Sequence, residues 1–238
     1  VECSNAAFDH QSMSFRGDGD GRAPDALQRF HQDVTRLLAS VADRPPGRGR
    51  VLEGDARRLE ALDGEAPFDL VVTSPPYPNR MSYVRELRPY MYWTGHLEAS
   101  RDAGEIDWRA IGGTWGVATS RLGDWRRDAG VALPGELERC VGAIARSDAK
   151  NAELLSRYVA RYFEDAARHL GALRPHLASG ARVHYVVGNS KFYDVLVPTE
   201  RIYAALMRRA GLSHVEVRTL RKRNSKKELF EFDVTARG

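Results

Sequence analysis

The most constraining stretch of this chain is residues 68–77. Phe68-Asp69-Leu70-Val71-Val72 is a short apolar run rich in β-branched residues, and it enters Thr73-Ser74-Pro75-Pro76-Tyr77 without a break. The run predicts a strand buried on both faces, as strands of a parallel sheet are. Two consecutive prolines fix φ and remove two amide donors, so the strand must end there in a stiff corner. A buried parallel strand implies crossover helices and an α/β architecture.

The rest of the chain fits that class. Residues 1–23 are polar, with a loop at Gly17-Asp18-Gly19-Asp20-Gly21. Residues 24–41 place Leu27, Phe30, Val34, Leu37, Leu38 and Val41 at helical spacing, ended by Pro45-Pro46-Gly47. Residues 50–55 predict a short strand and turn, and residues 56–62 a short helix. An irregular helix is expected over 81–97, with Tyr83, Tyr90, Tyr92 and Trp93 as core. Residues 135–178 predict one long helical stretch striped by Leu154, Leu155, Tyr158, Val159, Tyr162, Phe163, Ala166, Leu170 and Leu173, closed by Gly180. Residues 183–187 predict a second buried strand turning at Gly188-Asn189, with His184 as a core histidine. A helix over 199–210 and strands at 215–218 and 230–234 complete the chain, the last two as an antiparallel edge pair. Between them lies an aperiodic region, 98–134, with Trp108, Trp115 and Trp125. Residues 98–150 are expected to be an insertion, serving as a lid or target-recognition region, whose tryptophans clamp a base or anchor the insert.

Composition excludes several classes. Of 238 residues, 42% are hydrophobic and 29% charged, which does not describe a disordered chain. No apolar run approaches the ~20 residues of a membrane helix. Two cysteines, Cys3 and Cys140, are too few for a disulfide scaffold, and seven scattered histidines show no metal-ligand spacing. No metal is expected, and a reducing cytoplasm is the compartment that fits. The net charge of +4 permits a nucleic-acid partner without demanding one.

The corner is chemically suggestive. Ser74 offers a hydroxyl, the prolines offer carbonyls, and Tyr77 offers a flat ring with a polar tip. Such a set can take the two hydrogens of an exocyclic amine and stack its base. The plainer alternative is a proline-rich turn that only ends a strand. Ser-Pro-Pro-Tyr after a hydrophobic strand resembles the catalytic motif of the exocyclic-amino DNA methyltransferases, and the similarity extends from about residue 51 to residue 237. The Ser-initial form points to cytosine N4, with adenine N6 as the alternative target.

That resemblance implies a Rossmann-like S-adenosylmethionine-dependent fold with a mostly parallel sheet. It also implies methylation of DNA as in a restriction-modification system, with Ser74, Pro75, Pro76 and Tyr77 as catalytic residues. Asp55, Ala56 and Thr73 become the cofactor-binding candidates, Asp55 meeting the cofactor adenine or serving as a helix N-cap. Asn79, Arg80, Arg221, Arg223, Lys226 and Lys227 are the DNA-binding candidates, the last four in a basic loop that is otherwise a solvated hairpin. Neither cysteine adjoins the corner, so carbon-5 chemistry is rejected. The family also carries a glycine-rich cofactor turn after its first strand. Residues 17–21 have the glycines, but Ser12-Met13-Ser14-Phe15 before them is a poor strand, and Glu2 stands too near the start to be assigned to the ribose. Residues 1–238 are therefore expected to be one partial methyltransferase domain, its cofactor loop residing in a missing N-terminal segment or a partner subunit. Rival readings are a methyltransferase of RNA or protein amides, and a non-catalytic DNA-binding or partner subunit.

Overall fold

The computed structural model describes residues 6–9, 12–15, 25–43, 46–79, 82–113, 118–223 and 228–238. The chain divides into two units, Val1–Val51 and Leu52–Gly238. The candidate residues Arg80, Lys226 and Lys227 lie outside the described residues, as do Trp115, the 17–21 loop, Glu2 and Cys3.

In the first unit, β1 (Ala6–Asp9) and β2 (Ser12–Phe15) form an antiparallel hairpin, so the residues read as a poor strand do pair. Helix α1 (Ala26–Ser40) follows, capped by Asp25, whose carboxylate accepts from the amides of Leu27 (2.9 Å) and Gln28 (3.4 Å). Its stripe residues Leu27, Phe30, Leu37 and Leu38 are exposed.

The second unit is α/β with a mixed sheet. Its strands are β3 (Phe68–Thr73), β4 (Leu177–Gly188), β7 (Ser213–Lys222) and β8 (Phe230–Arg237), in the order β3-β4-β8-β7. Only β3 and β4 run parallel; β8 is antiparallel to both β4 and β7. The expected antiparallel C-terminal pair is present; among the described strands the sheet is mixed, with one parallel and two antiparallel pairings, in place of a mostly parallel one. A small hairpin of β5 (Ser190–Phe192) and β6 (Val195–Val197) follows β4.

The helices are α2 (Tyr83–Trp93), α3 (Ser100–Arg109), α4 (Ala118–Asp124), α5 (Gly135–Ala145), α6 (Ala152–Leu173) and α7 (Thr199–Arg209). The aperiodic region thus contains two short helices. The predicted helix over 135–178 breaks at a turn rich in Ser, Asp and Asn, where the Ser147 hydroxyl donates to the Ile144 carbonyl. It ends at Leu173 because Pro175 cannot continue the ladder, and Gly180 lies inside β4 with φ 75°. Residues 50–55 form no strand, and 56–62 form one turn and a 3-10 segment, Glu60–Leu62.

One face of the sheet is covered. Val183, Tyr185 and Val187 of β4 and Val234 and Ala236 of β8 share a core with Val159, Phe163, Ala166 and Leu170 of α6 and with Ile202, Leu206 and Met207 of α7. Within this unit, and among its described residues, the other face is not covered. Leu70 is 43% exposed and Val72 68%, which corrects the expectation that β3 is buried on both faces. The strand is present, but among the described residues it is an edge strand paired to β4 alone. The aromatic stripe of α2 is likewise outward, with Trp93 91% exposed. His184 is only half-buried, its Nδ1 3.2 Å from Asp233 Oδ2, so it is not a core histidine. Among the described residues, no helix is long and apolar enough to cross a membrane.

The asymmetry of the two faces is measurable. Phe163→Ala, in the covered core, is expected to lose about 3–5 kcal/mol in urea unfolding. Val72→Ala on the open face is expected to stay within about 0.5 kcal/mol of the parent. A comparable loss at Val72 would mean that the open face is buried in solution.

Candidate functional site

β3 delivers the corner to the carboxyl end of the parallel pair, where its last residue, Thr73, lies opposite Tyr185 of β4. Loops at this end of a parallel sheet are where ligands bind. Ser74 is exposed, with its Oγ 3.5 Å from the Tyr77 hydroxyl. The Tyr77 amide donates to the Tyr83 hydroxyl at 3.3 Å, and the Asn79 amide to the Tyr77 carbonyl at 2.8 Å. The two proline carbonyls differ. That of Pro76 accepts from the Tyr162 hydroxyl at 2.6 Å, and the same phenol meets Tyr203 Oη at 3.0 Å. The Pro76 carbonyl is therefore engaged by the fold.

Tyr77 is half-buried against the end of β4. A Cβ at Gly188 would fall 2.9 Å from Tyr77 Cδ2 and Cε2 and 3.1 Å from Arg223 Nη1, so only glycine admits the ring here. Arg223 Cζ stands 5.6 Å from the ring centroid, within cation–π range. Its Nη1 donates to the Asn189 carbonyl at 3.2 Å. The buried Asn189 side chain holds the loop in turn, donating to the Glu228 carbonyl (3.0 Å) and accepting from the Phe230 amide (2.9 Å). Of the basic loop, Arg223 reaches the corner. Arg221 pairs its guanidinium with Glu231 at 2.6 Å and also lies within electrostatic reach of Tyr77.

The 55–57 turn follows the N-cap alternative for Asp55. Asp55 accepts from the Arg57 amide (2.9 Å), from its Nε (3.0 Å) and from its Nη2 (2.7 Å), and the guanidinium holds this carboxyl down at about 2. The Asp55 carbonyl accepts from the amides of Arg58 and Leu59, so the residue opens a single helical turn. Both groups of Asp55 are engaged locally. Arg57 reaches onward to the buried Asp165 of α6 at 3.6 Å. The Ala56 carbonyl meets His169 Nδ1 at 2.6 Å, and His169 Nε2 meets Tyr185 Oη at 2.5 Å. A carbonyl only accepts, so Nδ1 carries the proton and Tyr185 donates to Nε2. Burial lowers the His169 pKa and raises that of Tyr185.

The region after α2 is fastened to the same helix. Tyr158 donates to the Gly112 carbonyl at 3.3 Å, and Arg161 donates to the carbonyls of Gly113 and Trp108. Arg161 Cζ lies 3.8 Å over the Trp108 ring, so Trp108 is an anchor, not a base clamp, and Trp125 packs on the core. Gly112, at φ 72°, would place a Cβ 3.0 Å from the Tyr162 ring.

Sequence reasoning missed Tyr162, Asp165 and His169. The signal was polar tips at 158, 161, 162, 165 and 169, recurring on one side of a helix otherwise read as core. Comparisons with protein-family models, curated proteins and solved structures return no match.

Two outcomes follow from these contacts. Gly188→Ala is expected to displace Tyr77 and weaken its contact with Arg223, seen as altered aromatic proton shifts of Tyr77 in NMR. Unmoved shifts would mean that the ring does not rest on residue 188. For His169, burial sets the folded pKa below the unfolded value of about 6.5. The unfolded chain then takes up the proton first, so this contribution is complete above about pH 6.5 and is lost as pH falls below it. The melting temperature should fall more steeply from pH 7 to pH 5 in the parent than in His169→Gln. Parallel curves would contradict the buried neutral imidazole.

Proposed function

We propose that this chain is the catalytic part of a Rossmann-like, S-adenosylmethionine-dependent methyltransferase acting on an exocyclic amino group in DNA, cytosine N4 before adenine N6. The observation that carries the reading is the Ser74–Tyr77 corner. It sits at the carboxyl end of a parallel strand pair, with the Tyr77 ring against the Gly188 backbone and Arg223 close by.

The chain's own residues define the chemistry. An exocyclic amine is a weak nucleophile because its lone pair is delocalised into the ring. Ser74 Oγ and the Pro75 carbonyl accept hydrogen bonds from its two N–H groups, which lets the nitrogen become tetrahedral as it takes the methyl group, and one amine proton leaves to solvent past the exposed Ser74. Tyr77 stacks the base, which must leave the duplex to reach the corner. Arg223, with Asn79 beside the corner, offers phosphate or base contact. Orientation and hydrogen bonding supply the acceleration, with no covalent enzyme intermediate.

The residues fit the cofactor in part. When bound, S-adenosylmethionine supplies the electrophilic methyl group. The 55–57 turn, with Thr73, offers a place for its adenine, although Asp55 would accept with lone pairs left over from Arg57. Among the described residues, no glycine-rich turn follows a strand, so none of them holds the methionine end. The unpaired edge of β3 supports supply of that turn by a further segment or a partner subunit whose strand extends the sheet. The same edge favours a second reading, a DNA-binding subunit that is inert alone. Methyl transfer by the complex with the segment or partner that supplies the turn separates the two: loss of transfer on Ser74→Ala favours the first, and unchanged transfer the second.

The enzymatic test is transfer of labelled methyl to duplex DNA, with RNA and protein as parallel substrates. In the active enzyme, Ser74→Ala and Tyr77→Ala are each expected to lower turnover about a hundredfold while DNA affinity changes less than about threefold. Matching losses in turnover and affinity would remove the catalytic assignment.

A further inference from the structure

We infer that α6 is a spacer that fixes the separation between the diproline corner and the 55–57 turn, acting through two positioning residues, Tyr162 and His169. Each donates to a backbone carbonyl of one turn: Tyr162 to Pro76 at 2.6 Å and His169 to Ala56 at 2.6 Å. Seven residues separate them, two helical turns, so they share a face and stand about 10 Å apart along the axis. Asp165 lies between them and reaches the same turn through Arg57.

The spacer is stiff. Val159, Phe163 and Ala166 on the same helix are fully buried in the main core. Each anchoring side chain is itself held, Tyr162 by Tyr203 (3.0 Å) and His169 by Tyr185 (2.5 Å), and the rings of Tyr185 and Tyr203 lie 5.8 Å apart. Diproline leaves the corner without amides at 75 and 76, and the 55–57 turn belongs to no sheet, so neither can be fixed by a strand ladder. Hydrogen bonds to their carbonyls from one rigid helix fix both, and so fix the distance between a base at one and a cofactor at the other. This role rests on the functional reading above; the anchoring itself does not.

The test uses the full chain and two kinds of measurement. In amide hydrogen exchange without ligand, Tyr162→Phe is expected to speed exchange of the Tyr77 and Asn79 amides about fivefold and to leave those of Arg57, Arg58 and Leu59 unchanged. His169→Phe should do the reverse, and His169→Asn, whose amide can still donate to the Ala56 carbonyl, should restore much of the protection. In methyl transfer, Tyr162→Phe should lower kcat about tenfold or more at constant KM for the cofactor, while His169→Phe should raise that KM with a smaller change in kcat. Exchange unchanged in both variants, or both segments loosening together in each, would overturn the inference. So would identical kinetic losses. If the enzyme completed by the segment or subunit that supplies the cofactor turn transfers no methyl group, the functional reading falls, and the exchange pattern alone decides whether α6 anchors the two turns.

Discussion

A corner made of two prolines has no amide hydrogens with which to join a sheet or a helix, so it must be held from outside. The Tyr162 hydroxyl on the Pro76 carbonyl and the Tyr83 hydroxyl at the Tyr77 amide do this. Much of the second unit is arranged around the first of these bonds. It requires α6 to be buried beside the sheet, Tyr203 to share the phenol, and Gly112 to leave room for the ring. A buried phenol without a partner would be destabilising by about 1–3 kcal/mol, so the bond is favoured by the absence of alternatives as much as by its own strength.

The same helix carries an unusual load of charge for a buried element. Arg161, Glu164 and Asp165 are all nearly inaccessible. Arg161 meets carbonyls and the Trp108 face, Glu164 meets Arg168 and the Asp128 amide, and Asp165 Oδ1 lies 3.6 Å from both Arg57 and Arg168, while among the described residues its Oδ2 has no hydrogen-bond partner. Buried ion pairs add little net stability, but a wrong partner strands a charge, so they select one arrangement of the turns packed on the helix. This also qualifies the basic composition. Arg57, Arg161 and Arg168 serve the fold and Arg221 pairs with Glu231, whereas Arg223 faces the corner. The overall surplus of four positive charges says little about nucleic acid; the placement of one arginine says more.

What the sequence disclosed follows from period and punctuation. β3, β4, α1, α7 and the final antiparallel pair declare themselves by apolar spacing and by Gly and Pro at their ends. The failures are as physical. The run at 68–72 states that its residues prefer burial, but not what covers them, so an edge strand and a central one read alike. Asp55 looks like an acid waiting for a ligand because nothing in the string reveals that Arg57 folds back onto it. Tyr162 and His169 look like core because their rings are core; only their polar atoms reach the turns. The break between α5 and α6 was written in Ser147-Asp148 and overlooked beneath a strong helical stripe.

The open border of β3 has one further consequence. Its outward backbone groups and the uncovered Val72 and Leu70 make an adhesive seam. A seam of this kind recruits any extended peptide of suitable register, including its own copies. Left unsheathed, it would make the chain turbid and prone to fibrous deposits on concentration. Solubility is therefore a direct gauge of whether something shields that flank.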